Sequence, residues 1–391
     1  MSKRLFLFNP DCELAIANGS PFYMAPGNIV KMTDDLAYLA AYLAGEGDYV
    51  LIRKLPEKSF LGRISGILDY ACRPVNWEEA GQMDIAQAVP WGWSPKICKQ
   101  LSGIADTPVW HTDRKEWYSR KKAKELLSGI VQELPFVEKY IVPEIVHSIE
   151  EIEQNIGEGV WLVKASWSSS GRGLLAVGFP LAAKERQWLT GMLRRQGYMM
   201  LEKKLDRVLD FAMEFQAKAG EPVTFMGLSV FKTGENGEYR GNYIGSQTYI
   251  QEQAENYVDR SMIEQVKSYL ISALPRLLPE YTGALGVDMM VYRNAEGRYK
   301  MQPCVEINLR NNMGIVALEI SRKCLAEHTN GYFAVNYYPV AGEAYRTVSR
   351  KLQEQPLCIE NHRIRSGYLN LTPVNEQTCF VAEIEVKQEM Q

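Results

Sequence analysis

Residues 160–177 read VWLVKASWSSSGRGLLAV, two apolar runs joined by a segment of small residues. The first run ends at Lys164 and the second begins at Leu174, so the pattern predicts two strands joined as a hairpin. Serine and glycine let successive backbone N–H groups approach an anion, and Lys164 adds a positive charge at the end of the first strand. Residues 164–173 are therefore a candidate phosphate-binding loop, which we expect to close over its ligand like a lid.

Two common phosphate-binding fingerprints do not describe this loop. No Gly-Lys-Ser or Gly-Lys-Thr precedes a helix, and Gly171-x-Gly173 is followed by an apolar strand, whereas a dinucleotide fingerprint leads into a helix. Taken alone, a hairpin rich in serine and glycine is equally typical of a solvated turn. A second motif is needed to decide between the two interpretations.

A second hairpin is predicted from residues 286–292 and 302–309, which alternate between two faces. Gly297 lies midway between Asp288 and Glu306. If the connection folds about this glycine, the two carboxylates become neighbours across the strands.

Asn308 and Arg310 follow on the same face as Glu306. Magnesium prefers oxygen ligands and usually takes one or two carboxylates together with substrate phosphates. Asp288, Glu306 and Asn308 are therefore candidate magnesium ligands, and Arg310 could steady a transferred phosphoryl group. The alternative is a solvated face on which the acids and Arg310 form ordinary ion pairs.

The N-terminal third alternates between strand and helix. An apolar run at residues 5–8 is followed by a loop at 9–27, by an amphipathic helix that Thr33 or Asp34 can cap, and by a strand at 49–52. This order predicts an open α/β sheet, in which ligands gather beyond the carboxyl ends of the strands. The loop carries polar residues that either bind substrate or cap turns: Asn9, Asp11, Glu13, Asn18 and Asn28.

Length and composition limit the classes of function. The chain has 391 residues, 46% of them hydrophobic, and we expect three folded units. A net charge of -3 gives no global reason to expect nucleic acid as a partner, and no apolar run approaches a membrane span. The seven cysteines show no paired spacing, and the N-terminal apolar run is too short for a signal peptide, so we expect a cytoplasmic protein.

Several separated motifs, taken in order, resemble those of the ATP-grasp enzymes. Val163-Lys164-Ala165 with the Ser-Gly-Arg-Gly loop looks like the family's phosphate loop, and Leu201-Glu202-Lys203-Lys204-Leu205 looks like its adenine-binding linker. Gly286-Val287-Asp288 and Val305-Glu306-Ile307-Asn308-Leu309-Arg310 resemble its metal-binding strands. The likeness covers roughly residues 116–315, about half of the chain, and the order of the motifs is more specific than any one of them.

This resemblance implies an α/β and α+β architecture. Two α+β subdomains would clamp ATP, preceded by a Rossmann-like pre-ATP-grasp domain. The implied units are residues 1–115 for the N-terminal α/β domain, 116–195 for the subdomain with the phosphate loop, 196–330 for the subdomain with the metal site, and 331–391 for a C-terminal segment packed on them.

The resemblance also implies individual roles. Lys164 and Arg310 would be the catalytic residues, and magnesium would be held by Asp288, Glu306 and Asn308. The expected ATP contacts are phosphate contacts from Lys164, from Arg120 or Lys121, and from loop residues Ser169, Ser170, Gly171 and Gly173; adenine contacts from Glu202 and the backbone of Lys203 and Leu205; and a ribose contact from Asp210 or Glu214. Serines replace most of the loop glycines that many family members carry, and the connection between Asp288 and Glu306 is longer than usual.

The function implied is a ligase that uses ATP and Mg²⁺ to join a small-molecule carboxylate to an amine or similar nucleophile through an acyl phosphate. A small-molecule kinase of the same architecture and a nucleotide-binding protein without catalysis are the alternatives. We expect neither nucleic acid nor membrane as a partner, and a homodimer is compatible with the sequence.

Overall fold

A parallel sheet organises the N-terminal unit in the computed structural model, which describes residues 3–67, 72–168, 173–234 and 237–388. The elements of this unit are β1 (Arg4–Leu7), α1 (Cys12–Asn18), α2 (Gly27–Leu36), β2 (Tyr49–Leu51), α3 (Lys58–Ser65), β3 (Arg73–Val75), α4 (Trp77–Ala80), β4 (Gln87–Pro90) and α5 (Pro95–Leu101). The strands lie in the order β3-β2-β1-β4 and all pair in parallel. The predicted open α/β sheet is confirmed.

Packing on both faces explains why these short strands are largely apolar. Phe6 and Val50 pack into one buried cluster, and Leu5 and Leu51 pack into another. Parallel strands buried on both faces lack the polar positions of a half-exposed sheet.

The N-terminal helices differ from the sequence prediction. Neither Thr33 nor Asp34 caps a helix, because α2 begins at Gly27 and the Thr33 hydroxyl donates to the Ile29 carbonyl within it at 2.8 Å. A 3-10 helix, Ala37–Tyr42, carries the buried residues that follow. The structure also contains β4 and α5, which the sequence analysis did not predict, and Ser94 caps α5.

A small antiparallel sheet forms next. Its unit comprises a 3-10 helix (Thr112–Tyr118), α6 (Arg120–Glu133), a second 3-10 helix (Lys139–Ile141), β5 (Glu144–Val146), α7 (Ile149–Asn155), β6 (Trp161–Ala165), β7 (Leu174–Val177), α8 (Ala183–Gln196) and β8 (Met199–Lys203). The strand order is β5-β8-β6-β7. Lys164 pairs with Leu174, which confirms the hairpin predicted around the serine-rich segment.

A long antiparallel sheet completes the chain. Its elements are β9 (Asp206–Ala217), β10 (Thr224–Thr233), β11 (Tyr239–Ile244), α9 (Gln247–Glu255), α10 (Arg260–Leu277), β12 (Gly283–Arg293), β13 (Tyr299–Asn308), α11 (Met313–Cys324), β14 (Thr329–Tyr337), α12 (Glu343–Glu354), β15 (Cys358–Glu360), β16 (Arg363–Asn370) and β17 (Phe380–Gln388). In the described part of the chain the order is β13-β12-β9-β10-β11-β14-β17-β16-β15.

Strand pairing crosses the unit boundaries that the sequence predicts at residues 195 and 330. Strand β8 follows residue 195 but pairs with β6 of the small sheet. The strands after residue 330 continue the long sheet, because β14 pairs with β11 and β17 pairs with β14. The unit boundaries at residues 115, 195 and 330 stay predictions.

Helix α6 brings the small and long sheets together. Its apolar face packs in the core of the long sheet, where Ala123 accepts a hydrogen bond from the Cys304 thiol of β13. The backbone N–H of Arg120, at its first turn, donates to the Ser166 carbonyl just after β6 at 3.1 Å. The start of α6 therefore lies between the serine-rich hairpin and the carboxylate hairpin.

Candidate active site

The two predicted metal ligands are neighbours across β12 and β13. Asp288 is paired with Glu306 in the register of the two antiparallel strands, and the register shifts immediately afterwards. The connection turns at Asn294 and Gly297, whose N–H donates to the Asn294 carbonyl at 2.9 Å. The cross-strand carboxylate pair predicted from the sequence is confirmed.

Asn308 and Arg310 lie beside this pair. The Asn308 amide oxygen accepts a hydrogen bond from Nη2 of Arg310 at 2.9 Å. Arg310 also forms an ion pair with Glu13 of α1, in which Nε lies 3.0 Å from Oε1. The residue expected to steady a phosphoryl group is thus held by the N-terminal unit.

Electrostatics around the pair favour a bound cation. Burial, followed by the neighbouring Glu306 and Glu214 carboxylates, raises the pKa of Asp288 well above its ordinary value. A divalent cation between the carboxylates would offset this repulsion, and two carboxylates with an amide oxygen are donors that magnesium accepts. Within the described residues, no cluster of three or more His, Cys, Asp or Glu side chains could hold a metal ion, so the candidate set is two carboxylates and one amide.

The structure separates the two basic candidates at the start of α6. Arg120 is buried, and its Nη2 lies 3.2 Å from Oε1 of Glu306 and 3.3 Å from the Ser168 hydroxyl. Lys121 instead lies over the ring of Tyr198, with Nζ 3.7 Å from the ring centroid. Arg120 is therefore the basic residue that this helix places beside the carboxylate pair.

Lys164 and Glu202 meet across β6 and β8. Nζ of Lys164 lies 2.5 Å from Oε1 of Glu202, and both side chains are largely buried. The linker after Glu202 is tied to the start of β6, because the Lys204 N–H donates to the Val160 carbonyl at 3.0 Å. Lys203 ends β8, and Leu205 packs against the core of the long sheet.

Two adjoining cavities lie between the small and long sheets, and we call them together the clamp cavity. One is lined by Glu13, Tyr118, Ser119, Arg120, Ala123, Trp167, Ser168, Glu306 and Ile307. The other is lined by Arg120, Ala123, Lys124, Leu127, Pro143, Lys164, Met200, Glu202, Gln302, Cys304 and Val305. Because Arg120 and Ala123 line both, the clamp cavity joins the Lys164–Glu202 pair to Glu306.

The described residues reach only the two ends of the candidate phosphate loop. Ser169, Ser170 and Gly171 lie outside them. Gly173 is described, and its carbonyl accepts a hydrogen bond from the Ala165 N–H at 2.8 Å. Its φ of +71° is a conformation that glycine adopts without strain.

Asp210 and Glu214 have different surroundings on β9. The Glu214 carboxylate is buried and accepts hydrogen bonds from the Ser229 hydroxyl at 2.8 Å and from the Asn312 amide at 2.7 Å. Asp210 is partly exposed and accepts a hydrogen bond from the Thr233 hydroxyl at 2.5 Å. Burial raises the pKa of both groups, to about 7 for Glu214.

Most of the polar loop residues of the N-terminal unit make contacts within that unit, and one lines the candidate site. Asn9 hydrogen-bonds the Gly92 backbone, and Asp11 forms an ion pair with Lys96 at 2.6 Å. Asn18 accepts a hydrogen bond from the Ser20 N–H. Only Glu13 of the predicted group lines the clamp cavity.

Sequence reasoning missed Ser168 and Asn312. Ser168 belongs to a run of similar serines, and Asn312 caps α11, where it accepts a hydrogen bond from the Ile315 N–H at 2.9 Å. A cap signal was readable at Asn312, but no local pattern shows that its amide nitrogen meets Glu214.

Comparisons with known proteins identify the fold. Searches of protein-family models and of curated proteins find no match. N5-carboxyaminoimidazole synthetase from Staphylococcus aureus, solved with ADP, superimposes with a TM-score of 0.50 at 12% identity and covers 100% of this chain and 95% of its own. Biotin carboxylase from Campylobacter jejuni, solved as a β-γ-ATP complex, gives 0.53 at 12% identity over 100% of this chain and 88% of its own.

A third solved structure is also similar. The biotin carboxylase domain of 2-oxoglutarate carboxylase from Hydrogenobacter thermophilus, solved with MgADP, ADP and bicarbonate, gives a TM-score of 0.52 at 11% identity. The match covers 99% of this chain and 86% of that one. At such identities the likeness concerns the fold, and together with the two facing antiparallel sheets it shows that this chain has the ATP-grasp fold.

Proposed function

We propose that the chain is an Mg²⁺- and ATP-dependent ligase that joins a carboxylate to an amine through an acyl phosphate. The observation that carries the proposal is a cross-strand carboxylate pair of which one member, Glu306, lines the clamp cavity together with two buried cations. Asp288 and Glu306 supply the acids, while Arg120 and Lys164 supply the positive charges. ATP is the ligand whose phosphates and bound magnesium match this distribution of charge.

The proposed ATP contacts are those that the resemblance to ATP-grasp enzymes implies, narrowed by these positions. Lys164 and Arg120 bind the phosphates, together with backbone groups of residues 169–173. Glu202 and the backbone of Lys203 and Leu205 bind adenine. Asp210 binds ribose, because it is partly exposed, whereas Glu214 is buried and hydrogen-bonded by Ser229 and Asn312.

Magnesium would be held by Asp288, Glu306 and Asn308, and when bound it would neutralise charge on the transferred phosphoryl group. Arg310 lies next to Asn308 and so can bind the same group or the substrate carboxylate. Glu13 holds the guanidinium in place for this contact. The protein thus contributes positioning and charge neutralisation.

In the proposed reaction a carboxylate oxygen attacks the γ-phosphorus, and the bond to the leaving ADP oxygen breaks. The amine nitrogen then attacks the acyl carbon, inorganic phosphate leaves with the electron pair of the acyl–oxygen bond, and the nitrogen loses a proton. A kinase would leave the phosphoryl group on its product, so release of inorganic phosphate separates the two activities.

The proposed partners are a small carboxylic acid and an amine. No helix in the described residues is long and apolar enough to cross a bilayer. The cytoplasmic location, the lack of a nucleic-acid partner and a homodimeric state stay predictions.

The decisive variant is Glu306→Gln. It keeps the shape of the side chain but removes one charge of the carboxylate pair, and losing an electrostatic contact in the transition state typically costs about 10²–10³ in kcat. The assay incubates the protein with ATP, Mg²⁺ and pooled small carboxylates and amines and measures ADP and inorganic phosphate.

Glu296→Gln is the matched control, because Glu296 is exposed at the turn of the same hairpin. We expect this variant to keep full activity. Undiminished ADP formation by Glu306→Gln, with wild-type folding, would rule out the assignment.

A further inference from the structure

A second cleft is lined by Arg310 and Asn311, which follow β13. Its walls come from distant parts of the chain, including Trp93 after β4, Tyr281 before β12, and Arg363 at the start of β16. Arg322 and Lys323, in the last turn of α11, line the same cleft. We call it the basic cleft.

Among the described residues that line this cleft, basic side chains outnumber carboxylates. Nη2 of Arg322 and Nζ of Lys323 share the single carboxylate of Glu319, at 2.7 and 2.8 Å. Arg363 lies within ion-pair distance of no carboxylate in the described ranges, and its Nη1 donates to the Arg322 carbonyl. Arg4, which also lines the cleft, is neutralised by Asp48 at 2.7 Å.

Among the described residues, the Arg322 and Arg363 guanidinium groups lie at this part of the cleft with Glu319 as the carboxylate that lines it. Lys323 has a structural task, because its Nζ donates to the carbonyls of Tyr42 and Ala44 at 2.7 and 3.0 Å. In the contacts described, the Arg322 side chain pairs with Glu319 but donates to no backbone carbonyl, and it is 70% exposed. Two guanidinium groups, those of Arg322 and Arg363, thus remain able to meet an anion.

The other end of the basic cleft reaches the proposed reaction centre. Arg310 and Asn311 line it, and Arg310 contacts Asn308 of the metal set. The Asn311 N–H donates to the Trp91 carbonyl at 2.8 Å, which holds this loop against the N-terminal unit. A small molecule in the cleft would have its anionic end at α11 and its other end beside Arg310.

We propose that the basic cleft binds the acceptor substrate, and that this acceptor carries an anionic phosphate or carboxylate group separate from its reacting amine. Arg322 and Arg363 bind that group, since guanidinium matches the planar or tetrahedral array of oxygens in such anions. The identification of the ligand as the acceptor rests on the proposed ligase function. The anion-binding site itself does not depend on it.

The test measures anion binding directly. Thermal unfolding of the full chain is followed with increasing inorganic phosphate or malonate, at an ionic strength kept constant with sodium chloride. For the wild type we expect a saturable rise in the unfolding midpoint with one or both anions, and the double variant Arg322→Glu/Arg363→Glu should lose it. Phosphate and malonate distinguish a phosphate-bearing acceptor from a carboxylate-bearing one.

Three further variants assign the effect to its site. Arg350→Glu reverses a charge on α12 at a similarly exposed arginine that pairs with Glu354, and it should keep the rise. Lys164→Met should also keep it, because Lys164 belongs to the clamp cavity. Arg322→Gln/Arg363→Gln repeats the test without charge reversal in case the double glutamate variant does not fold.

The proposal is overturned if neither anion raises the unfolding midpoint more than chloride does. It is also overturned if the arginine double variants retain the rise, or if Lys164→Met alone abolishes it. Stabilisation by Mg-ATP should be unchanged in the arginine double variants. If the anions stabilise the wild type but Mg-ATP does not, the proposed ligase function is wrong and the anion-binding site is still confirmed. With an active acceptor in hand, the double variants should raise its KM at least tenfold and leave the KM for ATP unchanged.

Discussion

The Glu13–Arg310 ion pair joins two residues that are far apart in the chain. Both side chains are mostly buried, with 15% and 16% of their surfaces exposed. Arg310 also donates to Asn308 and to the Asn311 carbonyl, so Glu13 completes a network around the guanidinium. Removing Glu13 leaves a buried charge with fewer partners.

Glu13→Ala should therefore lower the free energy of unfolding by about 3 kcal/mol, the usual cost of removing one partner from a buried pair. Urea denaturation measures the loss. Asp34→Ala is the control, because Asp34 pairs with Arg53 at the surface, with 35% and 70% exposure. Asp34→Ala should lower the free energy of unfolding by less than about 1 kcal/mol. Equal losses in the two variants would contradict a buried network around Arg310.

The Glu214 carboxyl makes stability depend on pH. Burial raises its pKa from 4.5 to about 7, although the hydrogen bonds from Asn312 and Ser229 act in the opposite direction. Because the folded-state pKa is the higher one, the contribution is fully present below about pH 4.5 and is lost as the pH rises through about 7.

Glu214→Gln resembles the protonated carboxyl and does not titrate. Between pH 5 and 8 the free energy of unfolding of the wild type should fall relative to this variant by about 2.5 kcal/mol. Urea denaturation across this range, with EDTA present to exclude divalent cations, tests the expectation. Parallel pH profiles would show that Glu214 does not titrate there.

At the scale of elements, β12 approaches α11 closely at Gly286. A Cβ atom at this position would overlap Oε2 of Glu214 and the amide nitrogen of Asn312. The strand therefore needs glycine beside the Glu214 hydrogen bonds, although its backbone angles alone do not require it.

Gly286→Ala should lower the free energy of unfolding by about 1–3 kcal/mol, because the buried carboxylate must move. Gly62→Ala in α3, where an added Cβ meets no atom within 4 Å, is the matched control. Alanine in the interior of a helix should raise stability there by about 0.5–1 kcal/mol. Urea denaturation measures both changes. An unchanged free energy of unfolding in Gly286→Ala would mean that the packing around Gly286 is looser than its contacts indicate.

Elements with strong local patterns could be predicted from the sequence. The hairpin that pairs Lys164 with Leu174 follows from neighbours along the chain. The start of α2 could not, because Thr33 is a good cap by type but bonds back into a helix that is already formed. Strand β4 and α5 were hidden by prolines and tryptophans that obscure periodicity.

At the scale of the whole molecule, the clamp cavity lies between two sheets, so ligand binding should stabilise their arrangement. At about one hundred times its Kd, Mg-ATP should raise the free energy of unfolding by about 2.7 kcal/mol. ATP with EDTA should give a smaller effect, and Glu306→Gln should abolish the difference between the two. Thermal unfolding provides the measurement, and equal stabilisation with and without Mg²⁺ would contradict a metal role for the carboxylate pair.

By itself the sequence determined the two hairpins, the pairing of Asp288 with Glu306 and the parallel character of the N-terminal sheet. These features depend on alternation, turn residues and apolar runs, which act over a few neighbouring residues. Only the tertiary structure decided that Arg120 rather than Lys121 meets Glu306, that Glu13 holds Arg310, and that the strands after residue 330 extend the long sheet. Such contacts join residues distant in the chain, and their choice of partner is made by the packing of whole elements, which no local pattern encodes.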